Sequence, residues 1–147
     1  MMINKTIRYE YSLYISLSLL LFMFSSCSRT PEQIISRNWG INVNKIEHRV
    51  DSFKDKWYPN GDGECEVKMH IVLSNKDLEQ LVSQGAQPLP ISEKPNLIDY
   101  LERLSGIKGA SNGVYYYKPE GSQAPLEHTF LIYDKDSQTL FYHLSLM

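Results

Sequence analysis

The feature that most constrains this chain is a continuous apolar run close to its N-terminus. Residues 11 to 24 are apolar apart from three serines, and Lys5 and Arg8 precede them. As a helix this run reaches about 21 Å, which is short of the roughly 30 Å hydrocarbon core of a membrane. A basic flank, a short apolar run and small residues after it are typical of a secretory signal peptide. A buried core helix is disfavoured because the run has no polar face, so we predict that residues 1 to 26 are an export signal.

The residues that follow make this prediction more specific. Residues 24 to 28 read Phe-Ser-Ser-Cys-Ser and resemble the lipobox of bacterial lipoproteins, with Phe24 in place of the usual leucine. The Ser-Ser-Cys-Ser core is similar to lipoproteins of Bacteroidota. The resemblance implies that Cys27 carries acyl chains such as palmitate and begins the mature protein. It also implies a location in the bacterial cell envelope, at the outer membrane or cell surface. The alternative is ordinary cleavage, after which Cys27 would pair with Cys65 in a disulfide, as export permits.

Composition limits the partners of the mature chain. Residues 27 to 147 hold 13 basic and 16 acidic residues, a net charge of about −3. They contain no basic block, so we expect no nucleic acid partner. Their length suits one domain. We predict a polar tether over residues 27 to 38, which include Pro31, and a single domain over residues 39 to 147.

The first half of this domain is predicted to be mainly strands. Residues 39 to 43 alternate and suggest a first strand, and residues 45 to 57 fit either a helix or an edge strand. We favour a strand there because residues 60 to 63, Asn-Gly-Asp-Gly, are a strong hairpin signal. Apolar and charged residues alternate over residues 64 to 71, as in a half-buried strand. Cys65 lies on the apolar side of that strand, which predicts a buried, unreactive thiol.

Two helices are predicted in the middle of the chain. Ser74 and Asp77 form a capping box at the start of the first, and Gly85 ends it. The second covers residues 95 to 105 and is closed by Gly106. Three further strands are expected at residues 114 to 118, 128 to 133 and 139 to 144, the last two joined as a hairpin. Strands and helices that do not alternate predict an α+β domain, with an antiparallel sheet and both mid-chain helices packed on one face.

A set of short motifs runs through this domain in a fixed order: residues 60 to 63 (Asn-Gly-Asp-Gly), 88 to 90 (Pro-Leu-Pro), 113 to 117 (Gly-Val-Tyr-Tyr-Tyr), 132 to 134 (Ile-Tyr-Asp) and 140 to 142 (Leu-Phe-Tyr). The pattern resembles a group of small bacterial extracytoplasmic proteins of unknown function, many with an N-terminal anchor. It covers about residues 57 to 146. Members carry a His-Gly-Gly-Phe-like lead into the turn, where this chain has Lys-Trp-Tyr-Pro, so that histidine has no counterpart here. The resemblance implies a secreted or anchored domain. It does not indicate any reaction.

Motifs for chemistry are weak in this sequence, and we predict no catalytic residue, cofactor or metal ligand. An EF-hand alignment on Gly63 would place Tyr58 and Met69 at calcium-binding positions, which neither can fill. We interpret Glu64 and Glu66 as part of the charged, solvent-facing side of a strand.

Four residues form a candidate binding surface: Tyr115, Tyr117, His128 and His143. The predicted closing hairpin can bring the two histidines across from each other, at the roughly 5 Å Cβ separation of cross-strand partners. A two-histidine metal site is then geometrically open, but zinc needs three or four ligands, so we favour two surface histidines.

The sequence therefore supports three functional hypotheses. The first is a non-enzymatic, lipid-anchored envelope protein that binds another protein or a small ligand. The second is an inhibitor or immunity-type protein acting against an exported enzyme, and the third is a hydrolase. An exposed aromatic patch would favour binding, whereas a cleft in which His128, His143 and carboxylates converge would favour the hydrolase.

Overall fold

The computed structural model describes residues 28 to 121 and 126 to 147. The predicted export signal and Cys27 lie outside the described residues. In the part of the chain that is described, no helix combines the length and the apolar character needed to cross a membrane.

The centre of the fold is one antiparallel sheet of six strands in the order β1-β2-β6-β5-β4-β3. The strands are β1 (His48–Trp57), β2 (Gly63–Ile71), β3 (Gln87–Pro88), β4 (Gly113–Pro119), β5 (His128–Asp134) and β6 (Thr139–Leu146). The sheet and the helices between its strands confirm the predicted α+β class.

The β1–β2 hairpin forms where the Asn-Gly-Asp-Gly signal predicted it. Trp57 pairs with Gly63 at its end, and the Tyr58 amide donates to the Asp62 carbonyl at 2.9 Å. Gly61 has a φ of +93°, a conformation that a side chain would strain. The expectation that residues 45 to 57 are extended is confirmed for β1, which begins at His48.

Three α-helices accompany the sheet: α1 (Pro31–Trp39), α2 (Asn75–Ser83) and α3 (Pro95–Ser105). The predicted capping box of α2 is present, since Ser74 and Asp77 bond each other's backbone amides reciprocally. Helix α3 has the predicted bounds and ends at Gly106, whose φ of +71° is left-handed. These short helices depend on packing against the sheet, because isolated helices of this length are marginal in water.

The helices cover both faces of the sheet, which corrects the prediction that both mid-chain helices pack on one face. Helices α1 and α2 place Ile34, Ile35 and Leu81 in one core cluster with the apolar side of β2. Helix α3 places Leu101 in a second cluster with Phe130 on the opposite side. The physical reason lies in β5 and β6, where buried residues follow one another without alternation. Strands of this kind need cover on both sides.

Residues 31 to 38 belong to the packed domain, so the predicted tether over residues 27 to 38 has to be corrected. They form most of α1, which begins with a reciprocal capping box between Thr30 and Gln33. Ile35 is 0% exposed. Residues 39 to 43 are also not a strand, because Trp39 ends α1 and a 3₁₀ turn covers Val43–Lys45. The helical signal in the sequence is weak here, because the few apolar residues that α1 buries, Ile34, Ile35 and Trp39, stand among polar ones.

If α1 is part of the core, truncating Ile35 will destabilise the domain. We expect Ile35→Ala to lower the free energy of unfolding by about 2–5 kcal/mol, through lost apolar contact and a residual cavity. Urea unfolding of residues 28 to 147 measures this. The matched control is Arg37→Ala on the exposed side of the same helix, for which we expect little change. Equal, small effects for both variants would contradict the packing of α1.

Candidate functional site

A cleft of about 620 Å³ opens at the end of the sheet where β1 turns into β2 and where β6 ends. Helix α3 forms one wall with Tyr100 and Leu104. Both apolar and polar side chains line it. The residues that line the cleft are Lys54, Lys56, Tyr58, Asp62, Gly63, Glu64, Tyr100, Leu104, Leu126, His143, Ser145, Leu146 and Met147.

A chain of four bonded polar side chains runs from the cleft into the core. Lys54 Nζ forms an ion pair with Glu64 Oε2, and His143 Nε2 lies 2.9 Å from Glu64 Oε1. His143 Nδ1 lies 2.8 Å from His128 Nε2. The side chains of His128 and His143 are stacked with ring centroids 4.9 Å apart.

Strand register brings these residues together. Glu66 pairs with His143 across β2 and β6, and His143 pairs with Phe130 across β6 and β5. Glu64 and His128 are each two positions away from these partners, so they share the sheet face that α3 covers. The ring of Tyr100 on α3 lies 6.0 Å from the His128 ring, edge to face.

The structure places the four residues of the candidate binding surface on this same face but beneath α3. His128 is 0% exposed and His143 is 3% exposed, so the interpretation of both as surface histidines is wrong. Tyr115 is also buried, and its hydroxyl accepts from the Ser92 amide at 3.0 Å. Tyr117 is half-buried beside His128, with ring centroids 6.0 Å apart. The predicted hairpin does bring the two histidines together, but they are not directly opposite as expected, because His128 pairs with Ser145 and His143 with Phe130.

The positions of the hydrogens among these four bonded side chains follow from which atoms can only accept a hydrogen bond. The Lys54 ammonium, together with the hydrogen bond from His143, lowers the pKa of Glu64 below its ordinary value of 4.5, so the carboxylate is ionised and can only accept. His143 Nε2 therefore carries a hydrogen. One hydrogen lies between His143 Nδ1 and His128 Nε2, which are 2.8 Å apart.

This arrangement suits binding better than proton transfer to a substrate. Both ring nitrogens of His143 are engaged with protein groups, and Glu64 is a weak base because its pKa is lowered. Burial, together with the nearby Glu64 charge, raises the pKa of Tyr100. The Tyr100 hydroxyl consequently stays protonated and is able to donate a hydrogen bond into the cleft.

Three side chains have the spacing of metal ligands. One ligand atom each of Glu64, Glu66 and His143 lies within 4.8 Å of the others. A divalent cation there would have to displace the hydrogen bond between His143 and Glu64 and tolerate the Lys54 ammonium. The geometry therefore fits a closed ion pair and hydrogen bond better than an open cation site.

Cys65 is the unreactive thiol that the sequence predicts. It is a free cysteine among the described residues, 1% exposed, and burial raises its pKa to about 12. The disulfide alternative involves Cys27, which lies outside the described residues.

Sequence reasoning missed Lys54, Tyr100 and Leu104 as cleft residues. The signal for Lys54 was present, because a hairpin centred on residues 60 to 62 brings it near Glu64. Tyr100 and Leu104 continue the apolar stripe of α3 at positions i+3 and i+7 from Leu97, yet only the tertiary structure shows that they border a cleft.

No protein-family model, curated protein or solved structure matches this chain.

The ion pair at Glu64 makes stability depend on pH. Because the folded protein lowers the pKa of Glu64, its ionised form stabilises the fold above pH 4.5, and this contribution is lost as the pH falls through the lowered value. We expect Glu64→Gln to have a lower free energy of unfolding than the wild type at neutral pH. This difference should disappear at acidic pH. Urea unfolding over a pH series measures it. The control is Glu79→Gln, an exposed carboxylate on α2, for which a small gap is expected throughout. A Glu64→Gln gap that does not change with pH would contradict the ion pair.

Proposed function

We propose that this protein is a lipid-anchored component of the bacterial cell envelope whose domain binds a small amphiphilic ligand without catalysing a reaction. The export signal and Cys27 support the anchor. The observation that carries the binding role is the cleft, which combines apolar walls with a polar floor whose groups are already bonded to each other. Its volume of about 620 Å³ falls in the range of small-molecule sites.

The lining of the cleft favours a ligand with an apolar part and an acidic group. Tyr100, Leu104 and Leu126 offer apolar surface. Lys56 is exposed at the rim and makes no ion pair with the other residues of 28 to 121 and 126 to 147. An acidic group can therefore meet Lys56 and the Tyr100 hydroxyl while the apolar part lies against α3.

A hydrolase is the second candidate, and one observation favours it. His143 and Glu64 line the cleft side by side, with His128 bonded to His143 behind them, as in a hydrogen-bonded catalytic group. The engaged nitrogens of His143 and the lowered pKa of Glu64 count against this function. Turnover of p-nitrophenyl decanoate that disappears in His143→Asn, in a domain that remains folded, would favour the hydrolase.

The anchor is tested by replacing the predicted lipidated residue. We expect Cys27→Ser to lose incorporation of an alkyne-labelled palmitate and to move from the membrane to the soluble or secreted fraction, because the acyl chains supply the membrane affinity. In-gel detection of the label and fractionation measure the two effects. Cys65→Ser is the matched control and should keep both label and membrane association. Unchanged labelling of Cys27→Ser would refute the lipid anchor.

The ligand class is tested with decanoate, an acidic head on an apolar chain. We expect saturable chemical-shift changes in NMR spectra of residues 28 to 147, confined to the cleft, at concentrations below those that form micelles. Leu104→Glu should weaken binding at least tenfold, because it places a negative charge against the apolar chain and the carboxylate head.

Val82→Glu serves as the control for this experiment. Val82 is 51% exposed on α2 and does not line the cleft, so the same substitution there should leave the affinity unchanged. Equal loss in both variants, or shifts spread over the whole surface, would show that decanoate does not recognise the cleft.

A further inference from the structure

The exposed apolar side chains of this domain are concentrated at one end. Seven large hydrophobic residues are exposed in the described part of the chain, and five of them border the cleft or the groove beside it: Phe53, Trp57, Tyr58, Leu126 and Met147. The other two, Val72 and Val82, line neither. Lys54 and Lys56 of the edge strand β1 line both depressions, so the two adjoin along this strand at the hairpin end, and we call the five residues the hairpin-end surface.

The described chain begins at this surface. Ser28 and Arg29 line the groove with Phe53 and Trp57. Arg29 donates two hydrogen bonds to Asp55, at 3.2 and 2.8 Å, and its guanidinium lies 5.8 Å from the centre of the Trp57 ring. Consecutive Cα atoms are about 3.8 Å apart, so a lipid on the residue before Ser28 would start beside Trp57.

The chemistry of the surface matches the interface of a lipid bilayer. Tryptophan and tyrosine concentrate at the level of lipid headgroups, where an apolar ring and a polar tip are both accommodated. Trp57 is 38% exposed and Tyr58 64%. Lysines at such a level extend their ammonium groups toward phosphates, and the exposed Lys56 precedes Trp57 in sequence.

A second copy of the chain fits this surface less well. Strand β1 is the edge of the sheet and could in principle pair with another edge. It carries charged side chains at Arg49, Asp51, Lys54, Asp55 and Lys56, and charges on an edge strand oppose such pairing.

We infer that the hairpin-end surface rests on the bilayer that carries the lipid, with Trp57 and Tyr58 at headgroup depth. This inference depends on the lipid anchor proposed at Cys27. It also fixes the direction of the cleft, since Tyr58, Leu126 and Met147 border its opening. The cleft then opens toward the membrane surface, where amphiphilic molecules are concentrated.

The two tryptophans of the chain provide the test, because Trp39 is 4% exposed and Trp57 lies in the surface. The full-length lipidated protein is reconstituted into vesicles of phosphatidylethanolamine and phosphatidylglycerol, with lipids brominated near the headgroup end of their acyl chains. Flotation reports anchoring, and tryptophan quenching reports orientation. We expect the wild type to float and to lose most of the Trp57 emission, taken as the difference from Trp57→Phe.

Two controls separate the possible outcomes. Trp57→Phe should float and keep its remaining Trp39 emission. Trp57→Phe combined with Val82→Trp places a reporter on exposed α2, and it should float without being quenched. Protein that floats with unquenched Trp57, or with both reporters quenched equally, overturns the orientation while leaving the anchor intact. Protein that does not float overturns the anchor and the orientation together.

Discussion

Burial of the two central strands on both sides is the constraint on which the rest of this structure depends. In β5 and β6 most residues are buried, and the buried side chains lie on both faces of the sheet. Helices α1 and α2 complete one core cluster and α3 completes the other. Without either layer of helices, a row of large apolar side chains would be exposed to water. This exposure would destabilise the fold by about 25 cal/mol for each Å² of apolar surface.

The same constraint creates the cleft. Helix α3 is short and runs over only part of its face of the sheet, so the ends of β2 and β6 remain uncovered beside it. Polar residues of these strand ends, Glu64 and His143, therefore lie at the boundary between core and solvent. They are compatible with that position because Lys54 and His128 bond to them, since a buried polar group without a partner would destabilise the fold by about 1–3 kcal/mol.

The first described residues, the cleft and the exposed aromatic residues Trp57 and Tyr58 lie at one end of the domain. The first described residues are held to β1 by the Arg29–Asp55 ion pair, and α1 is joined to the same strand by the hydrogen bond between Glu32 and His48. His48 has acceptors at both ring nitrogens, and the bond to the Ile46 carbonyl, with the Glu32 carboxylate, raises its pKa. These contacts fix the first described residues, from Ser28 onward, against the sheet. With the anchor proposed at Cys27, so short a connection would give the domain a defined orientation, which a flexible tether would not.

The sequence by itself determined the elements whose signals are local. The hairpin at residues 60 to 63 follows from glycines that tolerate positive φ, α2 from its Ser74–Asp77 cap, and the burial of Cys65 from alternation along β2. It also indicated that one hairpin carries both His128 and His143, although the structure pairs His128 with Ser145 rather than with His143. Their burial, the place of α1 in the core and the division of helices between two faces were decided only by the tertiary structure. Strand pairing and helix packing join residues that are far apart in sequence, such as Glu64 and His143, and no local pattern states which face of a sheet a distant helix will cover.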